Sequence, residues 1–185
     1  MRIVGGEFRG RTLTAPKTSA IRPTTDRTRE SLFNILAHAH PEILNGARML
    51  DLFAGTGAMG LEALSRGVKS VVFVESSIEG RGLLWSNIET LGLQGRTRIM
   101  RRDATKLGPI TKTDPFDFLF ADPPYGKGLG EKALAAAHEG GWLKPNALTI
   151  LEESAEVVPD VPACFRVLES REFGETTMHF YRYSA

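Results

Sequence analysis

The 185-residue sequence contains one cysteine, Cys164, and four histidines scattered along the chain. One cysteine cannot form a disulfide within the chain, and the histidines show no zinc-binding spacing, so we expect no metal site. The longest apolar runs, 70–74 and 116–121, are far shorter than the ~20 residues that span a bilayer. The N-terminus also lacks the apolar segment of a secretory signal. These absences indicate a cytoplasmic protein with no membrane partner.

Basic residues are concentrated at the front of the chain, although the whole sequence has a net charge of only +1. Residues 1–29 hold seven basic and two acidic side chains, so they carry +5 and the remainder carries −4. A basic segment on a mildly acidic body favours a polyanionic partner such as nucleic acid. A solvated tail that is basic by chance fits the charge equally well. The candidate nucleic-acid contacts are six arginines of this segment: Arg2, Arg9, Arg11, Arg22, Arg27 and Arg29.

The sequence predicts two parts, a short hairpin or extended arm at 1–23 and a main domain at 24–185. Glycine, arginine, threonine and two prolines dominate the first part. Thr24 to Asp26 then supply N-cap chemistry for an amphipathic helix that ends before Pro41.

Strands and helices alternate from Arg48 onwards, with several strands formed by continuous apolar runs. The predicted bounds are 48–53, 70–75, 97–101, 116–121 and 148–152 for strands, and 58–66, 78–91 and about 130–139 for helices. Continuous apolar strands are typical of a sheet covered by helices on both faces. The pattern predicts a parallel, doubly wound α/β sheet with ligand sites at the strand C-termini. Two last runs, 165–173 and 176–183, have no helix between them and predict an antiparallel hairpin.

A glycine-rich segment, Asp51–Gly60 (DLFAGTGAMG), follows the first predicted strand. Gly55 and Gly57 allow a tight turn whose backbone, including Ala54, can approach a ligand closely. Gly60 allows the next helix to pack closely on the sheet, and Asp51 lies where its carboxylate can meet a cationic ligand group. The segment also fits a dinucleotide fingerprint, or a glycine turn with no ligand at all.

Two further acids follow the second and third predicted strands. Glu75, 20 residues after Gly55, is placed to accept hydrogen bonds from the hydroxyls of a ribose. Asp103, with Ala104 beside it, is placed to contact an adenine. One such acid alone is more often a solvated side chain, but acids at successive strand ends favour a nucleoside site. NAD and S-adenosylmethionine both remain open at this point.

The fourth strand ends in Asp122-Pro123-Pro124-Tyr125. The prolines lack backbone donors, which leaves the carbonyls of this turn free. The Asp122 side chain and the Pro123 carbonyl can accept both hydrogens of a base amino group, which favours a pyramidal nitrogen with an available lone pair. Tyr125 offers a face on which the base can stack. A rigid turn that caps a strand is the alternative, but hydride transfer would not need these residues.

Two motifs, Asp51–Gly60 and Asp122–Tyr125, resemble motifs I and IV of the Rossmann-like amino-methyltransferases, which act on adenine, cytosine or guanine. The segments Arg2–Arg11 (RIVGGEFRGR) and Arg22–Leu36 (RPTTDRTRESLFNIL) resemble the signature of the RsmD-type methyltransferases. The resemblance covers nearly the whole chain, including Phe173–Thr176. It implies a Rossmann-like fold with a mostly parallel seven-stranded sheet, a C-terminal antiparallel hairpin and a small N-terminal β-hairpin that helps to hold RNA.

The activity implied by this resemblance is S-adenosylmethionine-dependent methylation of the N2 amino group of one guanine in 16S rRNA, with the assembled small ribosomal subunit as substrate. A DNA adenine or cytosine amino-methyltransferase shares the Asp-Pro-Pro-Tyr turn, but such enzymes usually add a target-recognition domain. A non-catalytic RNA-binding assembly factor with a vestigial cofactor fold is the alternative outside enzymes. An NAD-dependent dehydrogenase would leave the turn after the fourth strand unexplained.

Overall fold

The computed structural model describes residues 1–17 and 24–185, which form four α-helices and seven β-strands. In chain order the elements are α1 (Asp26–Ala39), β1 (Arg48–Leu52), α2 (Ala58–Ser65), β2 (Ser70–Val74), α3 (Ile78–Leu91), β3 (Thr97–Met100), β4 (Phe116–Ala121), α4 (Leu129–Glu139), β5 (Leu143–Ser154), β6 (Phe165–Phe173) and β7 (Thr176–Tyr183). No helix within these described ranges is long and apolar enough to cross a membrane.

The seven strands form one sheet in the order β3-β2-β1-β4-β5-β7-β6. All neighbours are parallel except β7, which is antiparallel to both β5 and β6. The chain winds outward from β1 to β3 and then returns to β4, so the switch point lies between β1 and β4, where open α/β sheets bind ligands. The predicted mostly parallel seven-stranded sheet with a C-terminal hairpin is therefore confirmed.

Both faces of the sheet carry an apolar core. One face packs against α1, α2 and α3, and its core contains Phe33, Leu61 and Leu84 with strand residues such as Phe118. The other face packs against α4, around the fully buried Trp142. Because strand side chains alternate between the faces, each strand contributes to both cores.

Strand β5 is longer than the sequence indicated, with twelve residues from Leu143 to Ser154 in place of 148–152. Its first half contains Lys144, Pro145 and Asn146, which do not form an apolar run. Asn146 has a φ of +67°, and the pairing with β4 shifts register between Phe116 and Phe118. The first part of β5 is polar and irregular, so it does not belong to an apolar run and could not be predicted from one.

Helix α1 begins where the sequence predicts. Thr25 is the N-cap, and its hydroxyl accepts a hydrogen bond from the Thr28 amide at 3.1 Å. The helix ends at Ala39, before Pro41, as expected from the proline.

The first 14 residues fold onto the domain. A single antiparallel bridge joins Arg2 to Thr12, and Ile3 and Leu13 are buried in the same core as α1 and α2. The Glu62 carboxylate of α2 accepts hydrogen bonds from the amides of Val4 and Gly5 at 2.9 and 3.0 Å. This segment is therefore a packed turn and not a free arm, and the predicted domain boundary at residue 23 remains a prediction.

Candidate active site

A pocket of about 430 Å³ opens at the carboxyl ends of β1, β2 and β4, within the size range of small-molecule sites. All the predicted cofactor-binding and catalytic residues line it except Gly57. Those that do are Asp51, Ala54, Gly55, Glu75, Asp103, Ala104, Asp122, Pro123 and Tyr125. The structure thus brings the two predicted halves of the site into one cavity.

Gly57 and Gly60 are required for two different packing contacts. Gly57 has a φ of +80°, and a Cβ there would lie 2.2 Å from a methyl of Leu84. Its conformation therefore serves the packing of the loop against α3, and a contact of its backbone with a ligand stays a prediction. A Cβ at Gly60 would lie 2.4 Å from the Phe73 ring, which confirms that this glycine allows α2 to pack closely on the sheet.

Asp51 and Glu75 are acids held by the backbone at the pocket wall. The buried Asp51 accepts a hydrogen bond from the Gly60 amide at 3.1 Å, and burial raises its pKa well above the usual range. Glu75 accepts from the Gly55 amide at 2.8 Å and from the Ser77 amide at 2.9 Å, so it ties together the loops after β1 and β2. Each carboxylate oxygen can accept more than one hydrogen bond, so these contacts leave capacity for ligand hydroxyls.

Gly80 explains how Glu75 fits beside α3. A Cβ on this helical glycine would lie 2.8 Å from the Glu75 carboxyl carbon. Glycine weakens a helix by about 1 kcal/mol relative to alanine, and here it makes room for an acid of the pocket.

Asp103 lies exposed at the rim of the pocket, after β3. Its Oδ1 accepts hydrogen bonds from the Thr105 amide at 2.9 Å and from the Thr105 hydroxyl at 2.7 Å, which lower the pKa of the Asp103 carboxyl. The side chain is therefore an ionised acceptor near neutral pH, in a fixed orientation.

The turn after β4 joins its acid to its aromatic ring. The Tyr125 hydroxyl donates a hydrogen bond to Asp122 Oδ1 at 3.0 Å. Burial, and next the neighbouring Glu152 carboxyl, raise the pKa of Asp122 well above its usual range. Burial and the Asp122 charge also raise the pKa of Tyr125, which stays a neutral phenol.

Two glutamates of the site, Glu152 and Glu153, were not predicted from the sequence. The parallel pairing of Ala121 with Leu151 aligns Glu152 beside Asp122, and Glu152 is only 4% exposed. Glu153 accepts a hydrogen bond from the Gly126 amide at 2.8 Å and so fixes the chain just after Tyr125. The signal was present, because both acids directly follow the apolar run of β5, as Glu75 follows that of β2.

Four carboxyl groups therefore occupy one edge of the sheet, at the ends of four adjacent strands. In spatial order they are Glu75, Asp51, Asp122 and Glu152. They influence one another: Glu75 adds to the raised pKa of Asp51, and Asp51 adds to that of Asp122. An acidic edge beside a nucleoside-sized pocket suits a ligand with a ribose and a positive charge, and S-adenosylmethionine has both. Among residues 1–17 and 24–185, no group of three or more His, Cys, Asp or Glu side chains is arranged to hold a metal ion.

The six candidate arginines do not share one environment. Arg2, Arg9, Arg11 and Arg27 are exposed, whereas Arg22 lies outside the described residues. Arg11 also donates to the carbonyl of Thr90 at 2.7 Å, which ties the first segment to the end of α3.

The prediction that Arg29 contacts RNA is wrong, because its side chain is fully buried and cannot reach RNA. It donates to Asp26 Oδ1 at 2.7 Å, to the carbonyl of Thr24 at 3.0 Å and to the carbonyl of Arg2. Helical spacing indicates this position: Arg29 lies three, four and seven residues before the buried Leu32, Phe33 and Leu36, on the same face of α1.

The fold is that of a Rossmann-like methyltransferase. A family profile described as "Conserved hypothetical protein 95" matches residues 1–182, and the chain belongs to this family. The resemblance to the RsmD-type methyltransferases is thereby confirmed, because relatives that carry that function in their names match the whole chain.

Three relatives illustrate the similarity. The Escherichia coli (strain K12) "Ribosomal RNA small subunit methyltransferase D" is 38% identical, over 100% of this chain and 91% of its own length. The Haemophilus influenzae protein of the same name is 33% identical, over 98% of this chain and 93% of its own length. A solved structure from E. coli, "Putative methyltransferase yhhF", has a TM-score of 0.83 and 34% identity, and the match covers 100% of this chain and 98% of that one.

Proposed function

We propose that this protein is an S-adenosylmethionine-dependent RNA methyltransferase that methylates the N2 amino group of one guanine in 16S rRNA. The observation that carries the proposal is the common pocket of Asp122, Pro123 and Tyr125 with Asp51 and Glu75. An acceptor for an amino group thus lies beside acids suited to a cationic nucleoside. The names of the E. coli and H. influenzae relatives support small-subunit rRNA as the substrate.

The first, second and third strand ends are the proposed cofactor site. Glu75 would hold the ribose, and Asp103 with Ala104 would contact the adenine. The backbone of Ala54 and Gly55 would lie against the methionine part, with Asp51 near its positive charges. When bound, the cofactor supplies an electrophilic methyl group on a sulfonium.

The fourth strand end is the proposed methyl-acceptor site. The target guanine leaves its stack, at a cost of a few kcal/mol, and Tyr125 stacks on its ring. Asp122 and the carbonyl of Pro123 accept the two hydrogens of N2, which aims the nitrogen lone pair at the methyl group. Asp122 or water would take the proton that N2 loses once it has bonded to the methyl group supplied by the sulfonium. Most of the acceleration comes from positioning.

The exposed arginines are the proposed contacts to the phosphates of the RNA. Arg2, Arg9, Arg11 and Arg27 are available in the described residues, and we retain Arg22 as a candidate. Phosphate contacts position an RNA without reading its sequence, so we expect the assembled small subunit, in the cytoplasm, to supply the remaining recognition.

The test is mass mapping of modified nucleotides in 16S rRNA from cells with and without the gene. We expect one N2-methylguanine to disappear with the gene and to return when the purified protein and labelled cofactor are added to small subunits. Naked 16S rRNA and DNA are the parallel substrates. Label in DNA alone would support the DNA methyltransferase instead, and no label with any substrate would support a non-catalytic assembly factor.

A further inference from the structure

The Tyr125 hydroxyl occupies the place where a substrate amino group should bind. It donates to Asp122 Oδ1 at 3.0 Å, and Asp122 is the proposed acceptor of the N2 hydrogens. Glu152 also contributes to the raised pKa of Tyr125, so the same phenol lies close to both carboxyl groups. When Tyr125 turns to stack on a base, it must release both acids together.

The two carboxylate oxygens of Glu152 differ in their hydrogen bonding. Its Oε2 accepts a hydrogen bond from the Thr176 hydroxyl at 2.9 Å. Its Oε1 is buried and has no hydrogen-bond partner among the residues that the structure describes. Leaving a buried acceptor unsatisfied costs about 1–3 kcal/mol, which marks this oxygen as a place for a donor from outside the chain.

The position of Glu152 relative to Asp122 defines that donor. The two acids are neighbours across the β4–β5 ladder, at the same end of the sheet. A base whose amino group binds Asp122 can therefore present to Glu152 an atom next to that amino group, and in guanine the neighbour that carries a hydrogen-bond donor is N1.

We propose that Glu152 selects guanine, by accepting a hydrogen bond from the guanine N1–H while Asp122 and the Pro123 carbonyl accept from the N2 amino group. This inference rests on the proposed function and names the residue that would give it base specificity. Guanine carries hydrogen-bond donors at both N1 and N2. Adenine and cytosine carry a lone pair beside the amino group, and that lone pair would face a carboxylate oxygen. Such an unpaired, repulsive contact is an effective way to reject the wrong base.

The surroundings of Glu152 suit an ionised acceptor in the complex. Burial raises its pKa, whereas the neighbouring Thr176, Tyr125 and Thr24 side chains oppose that rise. A donor at N1 would replace the contact with Tyr125 and would again favour the charged form.

The test uses 2-aminopurine, which keeps the 2-amino group but has a lone pair in place of N1–H. The target guanine, located by mass mapping, is replaced by 2-aminopurine in 16S rRNA through splinted ligation, and the RNA is assayed both naked and in reconstituted small subunits. We expect the wild-type protein to prefer guanine over 2-aminopurine by about 10- to 100-fold in kcat/KM, the value of a hydrogen bond to a charged group.

Glu152→Gln should reduce or reverse this preference, because the amide can donate to the N1 lone pair of 2-aminopurine. Thr176→Val, which releases Oε2, should reduce the preference less and provides a second variant if Glu152→Gln does not fold. Glu156→Gln is the matched control: it makes the same chemical change on an exposed glutamate just beyond the end of β5, outside the site, and should leave the preference unchanged.

The outcomes separate this inference from the proposed function. Methylation of guanine N2 by the wild type, with equal use of 2-aminopurine or with an unaltered preference in the folded Glu152 and Thr176 variants, would overturn the role of Glu152 alone. Absence of N2-methylguanine in the mapping experiment would overturn the proposed function itself.

Discussion

Replacing Arg29 by methionine should destabilise the protein while leaving its direct contacts with RNA intact. The buried guanidinium donates to the carbonyls of Arg2 and Thr24 and to the Asp26 carboxylate, and lies 3.5 Å from Glu62. Methionine fills a similar volume but makes none of these bonds.

The expected loss of stability depends on the hydrogen bonds that each partner of Arg29 keeps in the variant. Glu62 retains Arg66 at 2.9 Å and the amides of Val4 and Gly5, so it does not become an isolated buried charge. The side chain of Asp26 is 41% exposed and can return to water. The main loss is therefore the two carbonyl contacts, and we expect about 2–3 kcal/mol in the free energy of unfolding.

For a domain of this size such a loss lowers Tm by about 4–12 °C, which differential scanning calorimetry measures directly. Arg27→Met is the matched control, because Arg27 is exposed on the same helix and should change Tm by little. If Arg29→Met kept the wild-type Tm but weakened RNA binding at a temperature where it is fully folded, the structural role assigned to Arg29 would be refuted.

Three further predictions concern the pocket, the RNA surface and the first loop. Asp122→Asn should stabilise the folded protein at neutral pH. Burial raises the pKa of Asp122 above its ordinary 3.8, so the wild-type protein loses stability as the pH rises from 3.8 towards the higher pKa of the folded state. In urea unfolding, the stability gained by the substitution should shrink as the pH falls towards 3.8, and a gain that is constant with pH would contradict the burial of Asp122 as its cause. Arg9→Gln and Arg11→Gln should each reduce the slope of log K against log salt for RNA binding by about 1, and unchanged slopes would argue against phosphate contacts. Gly57→Ala should lower Tm more than Gly46→Ala, since both have positive φ but only Gly57 would place a Cβ against a neighbouring side chain; equal effects would show that backbone strain alone decides.

The regular elements and the motifs that line the pocket could be predicted because their signals are local. β4 and α3 have the predicted bounds, and β1, β2 and β3 differ from prediction by one residue, since continuous apolar runs end where the sheet ends. The glycine loop, the acids after these strands and the Asp-Pro-Pro-Tyr turn meet in one pocket because parallel strands bring their C-termini to the same edge.

The remainder depends on tertiary packing that local patterns do not contain. Arg29 belongs to a basic segment by composition but to a buried face by its position in α1, and the packing of Ile3 and Leu13 against the domain explains why that face is covered. Glu152 follows an apolar run like the other site acids, but its relation to Asp122 depends on β5 being the neighbour of β4. Neither the pairing order nor the burial of a charge could be derived from spacing alone.

The most direct test of the site is a parallel measurement of cofactor binding and methyl transfer by the Asp122→Ala variant. Because Asp122 is proposed to contact the amino group to be methylated and not the cofactor, we expect calorimetry to give a Kd for S-adenosylmethionine close to that of the wild type. Methyl transfer to small subunits should fall by at least about 100-fold, the loss expected when the reacting atom is no longer positioned. Equal losses of affinity and of methyl transfer, or activity retained without the carboxylate, would contradict the role given to this side chain.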